Sequence, residues 1–68
     1  MERFATNLKR AREKEGLTQK EFAAELGVSI NTYVTWEANG KNKRIPNVKV
    51  ISKIANILNV TIDELVEG

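Results

Sequence analysis

Residues 29–36 read SINTYVTW, a run with no charged side chain in a chain that is 29% charged. Tyr33 and Trp36 stand three apart, as on one face of a helix. Turning each residue by about 100° with those two inward puts Asn31, Val34, Thr35 and Ala38 outward, with Ile30 at the leading flank. A carboxamide offers a donor beside an acceptor, a hydroxyl offers either, and branched aliphatics offer methyl contact. This is the chemistry of recognising a patterned surface. Bond-breaking chemistry has no comparable support: the chain lacks His and Cys, Ser29 and Ser52 have no evident base, and the carboxylates are accounted for by caps, surface positions and one ion pair. An enzyme is not expected, nor a cofactor, and the usual thiolate and imidazole metal ligands are absent.

The elements that must hold that face can be read from the residues before it. Thr18 with Glu21 three places on is a T-x-x-E capping box, so a helix should begin at Gln19. Phe22, Ala23 and Leu26 lie at helical spacing, and the small Ala23 lets a second helix come close. Gly27 can take the positive φ that ends a helix, and Ser29 can cap the next one through the amide of Asn31 or Thr32. The second helix should run from Ile30 to about Ala38. Residues 19–36 thus have the spacing of a helix-turn-helix, with a generic helical hairpin as the plainer alternative.

Sixty-eight residues make one domain, 1–68, whose core must come from helix packing alone. A first helix carries Phe4, Ala5, Leu8, Ala11 and Arg12 on one face and ends at Gly16, with Leu17 tucked beneath. Pro46 delays a fourth helix until Asn47 can cap it, and Val48, Ile51, Ile54, Ala55 and Leu58 form its expected buried stripe. Asn59 suits that helix's C-terminus, and Thr61 with Glu64 opens a short fifth helix through Ile62, Leu65 and Val66. The fold class expected is all-α, with five helices. No apolar run approaches a membrane span or a signal peptide, so a cytoplasmic protein with no membrane partner is expected.

The net charge of +2 conceals an asymmetry. Residues 41–53 hold Lys41, Lys43, Arg44, Lys49 and Lys53 with no acid, whereas residues 60–68 hold Asp63, Glu64 and Glu67 with no base. A basic cluster is often only a solvated surface; its place just after a helix-turn-helix favours an anion-binding one.

The order LKRAREKEGLTQKEFAAELGVS, TYVTWE, a basic loop and IPNVKVISKIANILNVTIDELVEG resembles the lambda-repressor-like, Cro/XRE-type helix-turn-helix family over about residues 6–67. The resemblance implies a compact five-helix domain that reads double-stranded DNA. Its third helix would enter the major groove, the second would cross above it, and two copies would bind a two-fold symmetric operator as a homodimer. It places Gln19 where the family's glutamine bonds a DNA phosphate, matches Arg12 and Glu37 to a structural salt bridge, and puts Lys41, Lys43 and Arg44 in a loop that grips the backbone. Physics agrees on Gln19, because a helix N-terminus presents free amides and partial positive charge. The loop departs from the family: Glu37 to Gly40 and Gly40 to Pro46 are both longer than usual, so its contacts do not carry over position by position. Tyr33 stands where relatives usually place an aliphatic residue, and its hydroxyl is expected to reach solvent or phosphate.

On that reading Ile30, Asn31, Val34 and Thr35 are the base readers. Asn31 can fork onto adenine, Thr35 can bond either way, and Ile30 and Val34 suit thymine methyls. The Arg or Lys fork onto guanine is unavailable from this face, so half-sites should be mostly A·T. Ile30 and Val34 also form an i, i+4 pair that could instead pack into a partner or the chain's own core. Val60, Ile62, Leu65 and Val66 offer either a dimer surface or core. The function expected is a transcriptional regulator, most simply a repressor. The alternative is a protein-interaction module, or an antitoxin holding a protein partner, that reuses the fold.

Overall fold

The structure is a computed structural model that describes residues 2–38 and 45–67. Five helices follow one another: α1 (Glu2–Lys14), α2 (Gln19–Leu26), α3 (Ile30–Glu37), α4 (Val48–Leu58) and α5 (Ile62–Val66), with no strand among the described residues. The architecture is all-α.

Local chemistry fixes where α2, α3, α4 and α5 start. At α2 the Thr18 hydroxyl accepts the Glu21 amide at 3.0 Å while the Thr18 amide donates to Glu21 Oε1 at 2.9 Å. Hydrogen bonding to that carboxyl, from the Thr18 amide first and the Thr18 hydroxyl second, holds Glu21 below its ordinary pKa. Thr61 and Glu64 build the same box at α5, at 3.0 and 3.2 Å. Ser29 accepts the Thr32 amide at 3.1 Å, and Asn47 Oδ1 accepts the Val50 amide at 3.0 Å. Each cap satisfies an amide the first helical turn would otherwise leave unpaired.

The ends are equally specific. Gly27 closes α2 and Asn59 closes α4 in the left-handed region, at φ 75° and 58°. The residue after each donates back five positions, Val28 to the Ala23 carbonyl at 3.0 Å and Val60 to the Ala55 carbonyl at 2.9 Å. These bonds turn the chain sharply and seat α3 across α2 and α5 across α4. A Cβ built on Gly27 would meet nothing within 4 Å. Gly27→Ala is therefore expected to cost only left-handed strain, about 1–2 kcal/mol, read as a lower melting temperature with the same unfolding cooperativity. A loss well above that would mean the turn is also tightly packed.

The core joins Phe4 and Leu8 of α1, Phe22, Ala23 and Leu26 of α2, Tyr33 and Trp36 of α3, Ile51, Ile54, Ala55 and Leu58 of α4, and Leu65 of α5. Helix α1 packs on α3 and α5, and α2 on α3 and α4. Val48 departs from the expected stripe: it is 76% exposed. It occupies the first position of α4, one turn before Ile51, where the helix has not yet reached the core. Leu65 is buried, and Val60 and Val66 pack partly against the core, so of the apolar residues near the C-terminus only Ile62 stays well exposed, at 42%.

Candidate nucleic-acid interface

Helix α3 is positioned by its inner face. The Tyr33 ring meets Phe22 of α2 edge-on, with centroids 5.6 Å apart and planes at 82°, and meets Trp36 at 5.7 Å and 67°. All three rings are buried. Ala23 is buried in the same core. Edge-to-face aromatic contacts add about 0.5–1.5 kcal/mol beyond burial and fix ring orientation, which here fixes the rotation of α3 about its axis.

That rotation turns Ile30, Asn31 and Val34 outward and leaves Thr35 half-exposed. The two aliphatics do not enter the core, at 39% and 36% exposure. Thr35 Oγ1 donates to the Thr32 carbonyl at 2.6 Å. Its donor is thereby used within the helix, and towards a ligand it offers an acceptor. Ser29 Oγ donates to Thr32 Oγ1 at 3.0 Å, tying the start of the helix together. The eight residues of α3 span about 12 Å, close to the width of the B-DNA major groove.

Behind the exposed face lies a polar cluster on which three elements converge. Arg12 Nε donates to Glu37 Oε2 at 2.7 Å and Nη2 to Oε1 at 3.2 Å, while Nη1 donates to the Leu17 carbonyl at 2.6 Å. Gln19 Nε2 donates to Glu37 Oε1 at 3.0 Å, and the Tyr33 hydroxyl donates to Glu37 Oε2. The Arg12 and Glu37 side chains are only 8% and 3% exposed. The Tyr33 phenol thus turns inward onto Glu37, correcting the expectation that it reaches solvent or phosphate. The i, i+4 spacing of Tyr33 and Glu37 on one helix was the available signal for this contact. The convergence of Gln19 on the same carboxylate had no such signal, because the two residues lie on different helices.

Burial pushes the Glu37 carboxyl upward, but hydrogen bonds from Arg12, Tyr33 and Gln19 outweigh it and hold its pKa below the ordinary 4.5. The hydrogen bond to Glu37 raises Arg12, and burial followed by the Glu37 bond raises Tyr33. A carboxyl whose folded pKa is depressed contributes stability that is present above its unfolded pKa and lost as pH falls through the folded one. Melting temperature is expected to decline as pH drops below about 4.5 through this group, and the Glu37→Gln variant should show a shallower decline.

Gln19 is half-exposed at the start of α2. Lys41, Lys43 and Arg44 lie outside the described residues.

A family profile described as helix-turn-helix matches residues 8–65. The chain belongs to the lambda-repressor-like, Cro/XRE-type helix-turn-helix DNA-binding family. Its five helices are that family's fold, with α2 and α3 as the helix-turn-helix. Among curated relatives, the uncharacterized HTH-type transcriptional regulator YqaE of Bacillus subtilis is 35% identical over 65 residues, covering 96% of this chain and 53% of YqaE. The HTH-type transcriptional regulator ImmR of the same organism is 38% identical over 58 residues, covering 85% of this chain and 43% of ImmR. The HTH-type transcriptional activator BcrR of Enterococcus faecalis is 35% identical over 65 residues, covering 96% of this chain and 30% of BcrR. This helix-turn-helix chain spans about half the length of YqaE and less of the other two. No solved structure matches it. No helix among its described residues is long and apolar enough to cross a membrane.

Proposed function

We propose that residues 1–68 act as a sequence-specific DNA-binding domain, with α3 in the major groove of an operator. The observation that carries this reading is the outward face of α3. Ile30, Asn31, Val34 and Thr35 stand together and exposed or half-exposed, on a helix whose rotation is fixed by buried aromatic contacts. Asn31 would fork onto adenine, the Thr35 oxygen would accept from a base amino group, and Ile30 and Val34 would lie against thymine methyls. Gln19 would hold a phosphate at the start of α2, joined by Lys41, Lys43 and Arg44 from the basic segment.

The operator is proposed to be a two-fold symmetric site bound by two copies. The molecule measures 25 × 24 × 21 Å, so two adjacent copies can set their α3 helices about one DNA turn, roughly 34 Å, apart. Ile62 is the apolar residue of α5 left exposed for such a contact. Occupying a promoter's major groove excludes other proteins from it, so the regulatory sign proposed is repression; BcrR carries the name of an activator. The proposed role is non-enzymatic and requires no cofactor, and its setting is the cytoplasm, where an operator would be met.

The test is a titration of a symmetric operator duplex, followed by sedimentation, with scrambled duplex as competitor. Two chains per duplex and a preference of ~10³ or more over scrambled DNA are expected. One chain per duplex would remove the dimer. Equal affinity for both duplexes would remove the sequence reading and favour a protein-interaction module.

A further inference from the structure

Glu37 is more than the partner of Arg12. It accepts four hydrogen bonds: two from Arg12, one from the Tyr33 hydroxyl and one from Gln19 Nε2. The Gln19 contact joins the start of α2 to the end of α3, the two helices that a DNA duplex would touch together. We propose that Glu37, held in place by Tyr33, is a positioning residue for the Gln19 carboxamide, directing its second N–H to a DNA phosphate. The proposal rests on the reading of Gln19 as a phosphate contact given above.

A carboxamide has one acceptor end and one donor end. Left to rotate, Gln19 would present either to an anion, and the acceptor end would be repelled. A carboxylate at its back accepts only from the NH2 group, so Glu37 selects which end faces it and leaves one N–H of the same nitrogen over. That second N–H has no acceptor among the described residues. The arrangement also needs the Glu37 charge compensated, because a bare carboxylate so close would repel the phosphate it helps to bind. Arg12 supplies the opposite charge at 2.7 Å. Tyr33, which belongs to α3 itself, binds Oε2 beside Arg12 Nε and so helps hold the carboxylate with Oε1 towards Gln19, which shares that oxygen with Arg12 Nη2. An aliphatic residue at position 33 would fill core space but could not do this.

The experiment is a double-mutant cycle in operator affinity with Tyr33→Phe, Gln19→Ala and the pair, at a temperature where each is shown to be folded. Gln19→Ala should weaken binding ~10-fold, as for a hydrogen bond to a charged group. Tyr33→Phe should weaken it ~3-fold, and the pair should be no weaker than Gln19→Ala alone. The dependence on salt should be the same in all, since no cationic side chain is removed. A pair weakened by the product of the single effects would overturn the proposal, because Tyr33 would then act on binding without Gln19. The wild-type chain supplies a second readout by NMR of the Gln19 side-chain amide. One N–H should be protected in the free protein and both in the operator complex; two unprotected protons in the free protein would also overturn it. If the wild type prefers no duplex, the DNA reading fails and the positioning role with it. Preference with a multiplicative cycle removes the positioning role alone.

Discussion

Glu37→Ala is expected to cost about 3–5 kcal/mol of folding stability, because it strands the Arg12 guanidinium in a site where its side chain is only 8% exposed. It also leaves the Tyr33 hydroxyl without its acceptor inside the core. A domain of 68 residues has about 3–10 kcal/mol to lose, so the variant should be largely unfolded at physiological temperature. Urea titration of wild type and variant, monitored by helical circular dichroism, measures the difference. The paired replacement Arg12→Met with Glu37→Leu should recover much of the loss, since two apolar side chains leave no charge unpaired. A cost below about 1 kcal/mol for Glu37→Ala would place the pair with exposed ion pairs and remove it as the tie between α1 and α3.

The second large effect concerns selectivity. Asn31→Ala should lose about 1–3 kcal/mol of discrimination at a single base pair while leaving affinity for unrelated DNA almost unchanged. Lys43→Ala should weaken binding to every duplex alike and flatten the salt dependence by about one ion. Comparing both variants on operator, single-substitution operators and scrambled DNA separates the two behaviours. Identical responses would dissolve the division between readers on α3 and anchors in the basic segment.

How much of this was legible in the sequence follows from the range of each interaction. Thr18 with Glu21, Ser29, Asn47 and Thr61 with Glu64 act on amides within three residues, and Gly27 and Asn59 act on the adjoining turn, so composition and order alone located all the helix boundaries around them. The outward turn of Ile30, Asn31 and Val34 was legible for the same reason, since the aromatic pair Tyr33 and Trp36 defines the inner face; Thr35 and Ala38 are only half-exposed, and the exposed Thr32 was not picked out. Val48 was misplaced because periodicity says which side of a helix is apolar and nothing about where along the axis the core begins. The inward turn of the Tyr33 hydroxyl and the bond from Gln19 to Glu37 depend on how α1, α2 and α3 meet, which no local pattern encodes. The dual promise of the C-terminal apolar residues was resolved in the same way, by packing: Leu65 went to the core and Ile62 to the surface.

Whether the uncharged outer face of α3 reads DNA is decided by selection of bound sequences from a random duplex library. The expected winner is an inverted repeat whose major-groove contact positions are mostly A·T, because α3 offers a carboxamide, a hydroxyl oxygen and methyl-contacting aliphatics but no Arg or Lys to fork onto guanine. Guanine-rich contact positions, or no enriched sequence at all, would contradict that reading.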